Sequence, residues 1–417
     1  MTLESARNLL LLGSCSLLAP MCLAPRAARA EIAVRITDLR PGAFSGVPGL
    51  DAAVFADKLY FAGTADGGSL DLWVYDGLSP ATKVLGSDEI QPTYLTVWQG
   101  ALHFLGGPGG DRELWRYDGV NPPLEVLDLL DPGSGSPAFL TPFGPELCFR
   151  ATSLNVGAEL VCWDGATAPD VYDLRAAAAG SSPENLTVLG DRLYFGALVD
   201  DTGREPWSHE NFLAPELVGD LRSGTGSSSP DSFVLHGAQL HLRAADSSGQ
   251  GRVWVDDGVN PPAMVSTTFD VEGGLASWGG RLLVGGYEED GPLGEGPTGL
   301  YALRAAGFTS TPWPGGPLPA ANGFLAHRNA LYFRATPSTT ESDLFRYCGG
   351  GSVGRVTDQF ADLSFVDSRP VLFQGRLFFA VDDDVFGREL WAIDPLTALF
   401  CDGFDDGHDD DWTSSVP

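Results

Sequence analysis

The chain has 417 residues, 55 of them acidic and 25 basic, for a net charge of −30. A surface of that sign repels nucleic acid and anionic lipid, which excludes nucleic-acid binding. The 53 glycines and 30 prolines suit many tight turns, and beyond the N-terminus no segment reaches the ~20 apolar residues that span a bilayer.

The first element in chain order is a leader. The apolar stretch Asn8 to Leu23 is followed by Ala28-Arg29-Ala30, a small-x-small site that places cleavage before Glu31. Its basic flank is weak, since Glu4 balances Arg7. A lipoprotein reading would use Leu12-Gly13-Ser14-Cys15, but few apolar residues precede that cysteine. Residues 1–30 are read as a signal peptide, 31–397 as one folded unit and 398–417 as an acidic tail. The mature chain is expected to be a monomer, exported to the periplasm, surface or medium of a Gram-negative-like bacterium.

After a lone strand at Glu31 to Leu39, an internal repeat of about 45 residues takes over. Its first element is Leu59-Tyr60-Phe61, then Leu102-His103-Phe104, Leu147-Cys148-Phe149 and Leu193-Tyr194-Phe195. Later copies are Leu240-His241-Leu242, Leu282-Leu283-Val284, Leu331-Tyr332-Phe333 and Leu377-Phe378-Phe379. The second element reads Asp71-Leu72-Trp73 to Asp76-Gly77, Glu113-Leu114-Trp115 to Asp118-Gly119, and Glu159-Leu160 to Asp164-Gly165. It recurs around Trp207, Trp254, Tyr301, Phe345 and Trp391. The two elements form an antiparallel hairpin. In copy two, pairing Leu102 with Tyr117 and Phe104 with Trp115 centres the turn on Gly109-Gly110, which supplies the positive φ that tight hairpins need. The same rule pairs Phe61 with Trp73 and Phe379 with Trp391. Each time the bulky residues land on one face, because side chains alternate with period two.

Two further strands lie between hairpins. One follows the Asp-Gly turn, as at Leu124 to Leu129 and Glu216 to Leu221. A Gly/Ser/Pro crossing comes next (Asp131 to Pro137, Ser223 to Pro230), and an innermost strand after it, as at Asn185 to Leu189. Four short strands per unit and no helical periodicity predict an all-β fold: a single β-propeller of eight four-stranded blades. The stray strand Glu31 to Leu39 is predicted to complete the last blade as its outer strand and close the ring. Thr397 to Cys401 competes for the same slot.

The Glu-Leu-Trp-x-x-Asp-Gly element, the Leu-Tyr-Phe strand and the Asp-Leu-x-Pro-Gly crossing together resemble the ELWxxDGT-repeat family of exported bacterial proteins, over residues 33 to 394. Copies five to seven are degenerate, and copy six lacks both the Trp and the Asp-Gly turn. The resemblance implies a surface or secreted propeller-like array. The tail Phe400 to Trp412 looks like the Asp-Gly-Phe-type ending of many proteobacterial exported proteins, and a looser likeness to kelch propellers rests on Gly279-Gly280 and Gly285-Gly286.

Four cysteines remain after leader removal, an even number suited to an oxidising compartment. The hairpin register sets Cys148 opposite Cys162 on the less bulky face, which predicts a cross-strand disulfide. Cys348 and Cys401 are left by elimination. His103 and His241 sit in the column of Tyr60, Tyr194 and Tyr332, and His209 takes a Tyr position, so these read as structural. His236 and His241, five apart, are expected on opposite faces and so to make a poor metal pair. Turns at Asp200, Asp246 and Asp382 offer Ca²⁺ ligands but read first as turn chemistry. The tail, with Asp405, Asp409 and Asp411, is the denser Ca²⁺ candidate. No other cofactor is expected.

No Ser/His/Asp order, phosphate loop or metal cluster is recognisable, and whether the chain is an enzyme stays open. The leading reading is a non-enzymatic interaction or adhesion module for a protein or glycan ligand. The alternatives are a glycan-active hydrolase or lyase with its site at the central channel, and a Ca²⁺-dependent surface protein. Peptide mapping without reductant is expected to recover a fragment linked through Cys148 and Cys162; free thiols at both positions would sink that pairing.

Overall fold

A computed structural model describes residues 33–176, 178–289, 298–304, 307–310, 321–336, 342–349, 353–356, 364–365, 370–383 and 385–394. They form eight antiparallel sheets arranged as the blades of a β-propeller, with no α-helix among them. No helix of the described residues is long and apolar enough to cross a membrane. Blade 2 is typical, with Thr93–Trp98, Ala101–Gly106, Glu113–Tyr117 and Leu124–Leu127 laid out in chain order from the axis outward. The first strands of blades 1 to 7 meet side by side, and Val371–Phe373 of blade 8 meets Ala52–Phe55 of blade 1, which closes the ring.

The hairpin registers are those the repeat dictates: Leu102 opposite Tyr117, Phe104 opposite Trp115, Phe61 opposite Trp73 and Phe379 opposite Trp391. The bulky face of blade 2 packs on Tyr60 and Leu72, which come from the opposite face of blade 1. Because period two separates the faces, each blade is apolar on both sides and buries both against neighbours. Ring closure uses Ala33–Arg35, which pairs with Gly387–Ile393 as the outermost strand of blade 8. The competing segment 397–401 lies outside the described residues.

The motif residues each have a physical task. Leu72, Leu114, Leu160 and Leu390 are fully buried core. Asp76, Asp118, Asp164 and Asp257 cap their own turns by accepting backbone N–H groups two and three residues on, with glycines of positive φ at 77, 119, 165 and 258.

The glutamate does more. Glu205 is fully buried and accepts from Leu221 N and Ser228 N, both at 2.9 Å, and from the Ser228 hydroxyl at 2.7 Å. The carbonyl of Ser228 in turn accepts Ala245 N of blade 5 at 2.7 Å. One crossing residue therefore holds two blades. Glu159 with Ser181, and Glu113 with Gly135, repeat the arrangement; Ser181 O takes Leu198 N and Gly135 O takes Thr152 N. At the closure Glu389 accepts the Thr37 hydroxyl at 2.6 Å, across 352 residues of sequence. A side chain at Gly135 would place its Cβ 2.6 Å from Glu113 Oε2, so the crossing there needs glycine.

These carboxyls have no cationic partner among the described ion pairs, and burial pushes the pKa of Glu113, Glu159, Glu205 and Glu389 up against the pull of the amides. A raised folded-state value means the folded chain keeps protons that the unfolded chain has already lost. Stability contributed by these groups is therefore greatest in acid and falls as pH rises above 4.5, the ordinary glutamate value. Glu205→Gln is expected to flatten that fall. Glu205→Ala, which strands the Leu221 and Ser228 amides, is expected to cost about 3 kcal/mol. Urea midpoints at fixed m-value read both.

Candidate functional site at the channel

Each innermost strand of blades 2 to 5 and 7 carries a β-bulge at its start, between Thr93 and Thr96, Ala138 and Thr141, Glu184 and Thr187, Asp231 and Val234, and Asn322 and Leu325. The bulged residues adopt left-handed backbone: Tyr94 (φ 57), Phe139 (58), Asn185 (58), Ser232 (50) and Gly323 (63). Non-glycine residues enter this region at a cost, and bulky ones rarely. In a bulge the extra residue leaves the ladder, which re-aims its side chain. Here the re-aimed side chains line a cavity of about 1320 Å³ at the axis.

The lining is mixed. Tyr94 and Phe139 lie with ring centroids 5.5 Å apart, and the Arg150 guanidinium covers Phe139 at 5.0 Å. Thr96, Thr141, Thr187, Asn185 and Ser232 supply hydroxyl and amide groups, and Leu95, Leu140, Phe233 and Phe324 the apolar remainder. The only carboxylates among the described lining residues are Asp51 and Asp231, and no His, Cys, Lys or Arg is among them. Asp51 is engaged: it accepts Tyr94 N and, at 3.0 Å, Leu95 N, tying blade 1 to the bulge of blade 2. Burial raises its pKa, and those two amides oppose the rise. Burial likewise raises Asp231, opposed by Arg243 at 3.4 Å.

The bulge column was missed in the sequence, although a signal exists. Tyr94, Phe139, Asn185 and Ser232 each stand two residues after a crossing proline: Pro92, Pro137, Pro183 and Pro230.

The histidines divide. His103 packs edge-on against Trp98, ring centroids 5.2 Å apart, and is buried between blades. Burial pulls its pKa down to about 4, with Arg116 adding to the effect. His236 and His241 correct the sequence reading. They sit on the two strands of one hairpin, Asp231–His236 and Gln239–Ala245, so spacing along a single strand does not apply, and their rings lie 5.8 Å apart. His236 Nδ1 is 3.1 Å from the Ser277 hydroxyl.

Cys148 and Cys162 are disulfide-bonded, Cα atoms 4.1 Å apart. Glu146 and His209 complete a buried cluster with them, all four donor atoms within 4.8 Å of one another. The histidine comes from the next blade, a contact that no local spacing reveals. Cys348 is also disulfide-bonded; Cys401 lies outside the described residues, as do the Ca²⁺ candidates Asp405, Asp409 and Asp411. Of the turn aspartates, Asp246 is saturated. Burial works against its charge, but Ser248, Arg252 and Gln250 hold its pKa at about 2. Asp200 pairs with Arg175 and Asp382 with Arg388.

No family model matches this chain, and no curated protein sequence does. Solved structures do. It is similar to a puromycin-hydrolyzing peptidase of Mycobacterium tuberculosis at 16% identity and TM-score 0.50, covering 85% of this chain and 61% of that one. It is similar to prolyl endopeptidases at 11% identity and TM-score 0.50, covering 83% and 55%. It is also similar to the β-propeller domain of the Trilobed protease from Pyrococcus furiosus, at 10% identity and TM-score 0.40, covering 84% and 96%. The chain thus spans less than two thirds of the first two, and at these identities the likeness to them establishes the propeller fold alone.

A depressed histidine pKa costs stability as acid protonates the unfolded chain first. His103 is expected to withdraw about 3 kcal/mol as pH falls from 6.5 to about 4. NMR titration should place its midpoint near 4; a midpoint at 6.5 would show the ring to be solvated.

Proposed function

We propose that this protein is an exported, non-enzymatic recognition propeller that binds a neutral glycan at the channel. The observation that carries the reading is the bulge column. In blades 2 to 5 and 7 a constant scaffold holds one residue in a left-handed conformation, costly for all but glycine, and that residue varies as Tyr, Phe, Asn, Ser and Gly. Costly backbone that aims side chains into a cavity is one mark of a ligand site, and variation at one column of an otherwise regular repeat is what a recognition surface needs. Tyr94 and Phe139 offer faces on which a sugar ring stacks, with threonine hydroxyls and the Asn185 amide beside them for its hydroxyl groups. The net charge of −30 disfavours acidic glycans. Asp51 is engaged through both oxygens by Tyr94 N and Leu95 N and Asp231 through one by Arg243, which supports binding over cleavage.

Export, cleavage near Ala30 and membership in the ELWxxDGT-repeat family belong to the same proposal, supported by the leader and the repeated motif. The test is a glycan array followed by calorimetry on the mature protein, with and without Ca²⁺. Tyr94→Ala and Phe139→Ala are each expected to weaken binding about tenfold or more while leaving the circular dichroism unchanged. New reducing ends that appear with the wild type and vanish with Asp231→Asn would replace this reading by the hydrolase one. Binding that requires Ca²⁺ would replace it by the third.

A further inference from the structure

The cluster between blades 3 and 4 is untouched by the channel reading. Cys148 and Cys162 face each other across Glu146–Ser153 and Gly157–Trp163 of blade 3, Glu146 opens the first of those strands, and His209 ends Gly203–His209 of blade 4. All four side chains are at least nine-tenths buried. Cys162 Sγ lies 3.9 Å from His209 Nε2.

All four residues depart from their repeat columns at one place. Where blade 3 has Glu146, blades 1, 4 and 5 have Lys58, Arg192 and Gln239; where blade 4 has His209, blades 1, 2 and 7 have Tyr75, Tyr117 and Tyr347. The propeller does not need these residues. The disulfide, moreover, leaves two of them unserved. Glu146 Oε2 and His209 Nδ1 are shut from water without a hydrogen-bond partner, and Glu146 has no ion pair among the described residues. A carboxylate buried in that state lacks the partner that burial of charge demands. A divalent cation at the centre of the cluster would provide it.

We propose that Cys148, Cys162, His209 and Glu146 form a zinc site when the disulfide is reduced, so that the same two sulfurs are either cross-linked or metal-bound. A dithiol reductant supplies two electrons and two protons. The Sγ–Sγ bond breaks, two thiols form, and the reductant closes to its own cyclic disulfide. Zn²⁺ then displaces the two thiol protons to solvent and takes two thiolates, an imidazole nitrogen and a carboxylate oxygen, with no change in its oxidation state. Thiolate and imidazole together select zinc over the hard cations. Tetrahedral bond lengths place neighbouring donors about 3.3–3.8 Å apart, so the sulfurs must part and the other two close in slightly. With four protein ligands and no open position the site is structural. It fastens blade 3 to blade 4, whereas the disulfide joins two strands within blade 3.

The test uses the mature chain carrying Cys348→Ser and Cys401→Ser, so that one cysteine pair remains. Reduced with a dithiol and desalted without oxygen, it is titrated with Zn²⁺ against a chromophoric chelator and separately with Co²⁺. The reduced protein is expected to bind one Zn²⁺ per chain and to gain thermal stability from it, and the oxidised protein to do neither. Co²⁺ is expected to give a sulfur-to-metal charge-transfer band with tetrahedral ligand-field absorption. Glu146→Gln should weaken zinc about tenfold or more yet keep that band. His209→Tyr, which restores the residue of other blades and so spares the fold, should also weaken it. Absence of stoichiometric zinc in the reduced protein overturns the proposal. So does a cobalt spectrum without the sulfur band, or zinc affinity unchanged in His209→Tyr and in Cys148→Ser/Cys162→Ser.

Discussion

The structure depends on a buried carboxylate that answers to backbone amides and to no cation. In blades 2, 3 and 4 it fixes the crossing residue by its N–H, while the carbonyl of that same residue is taken by the next blade. The joint between blades is thus one residue wide. Its geometry explains why the motif couples an acid in one strand to a Gly or Ser about 22 residues later. The degenerate blades show what happens without it. Blade 5 puts Arg252 in the column and inverts the charges, with Asp246 at 3.0 Å and Glu289 at 2.8 Å. Blade 7 has Asp343, answered by Arg355 at 2.8 Å.

How much of this was legible in the sequence depended on the range of the interaction. Hairpin register was legible because the Leu-x-Phe and Trp-x-Tyr pairs repeat and period two punishes any slip. The closing strand was legible because Glu31 to Leu39 copies an outer strand that has no hairpin of its own. The bulges were not, since an extra residue inside a strand changes no composition; only the offset from Pro92, Pro137, Pro183 and Pro230 betrays it. His236 and His241 were misread for a related reason: their spacing was counted along one strand when a turn intervenes. Glu146 and His209 lie on different blades, and the contact between them is set by the pitch of the ring.

The two kinds of column divide the labour. The glutamate, leucine and Asp-Gly positions build the ring in blades 2 and 3, and where the glutamate is replaced, as by Arg252 or Asp343, an ion pair takes its place. The bulge position faces the cavity and is occupied in turn by Tyr94, Phe139, Asn185, Ser232 and Gly323. The result is asymmetric: blades 2 to 4 present Tyr, Phe and Asn to the axis, while blades 5 and 7 present Ser and Gly. A ligand seated there would be gripped from one side of the ring and given room on the other.

The bond between Thr37 and Glu389 has a consequence for how the molecule comes into being. An open array of repeats can fold from any point and frays from its ends, its stability close to a sum of local terms. Here Ala33–Arg35, ahead of all eight hairpins in the chain, has no sheet to join until Gly387–Ile393 exists. When it docks, the two fraying ends disappear together. That joint converts a row of semi-independent units into a single cooperative body, and a chain without Ala33–Arg35 would keep the other strands of its eight blades and lose this seal.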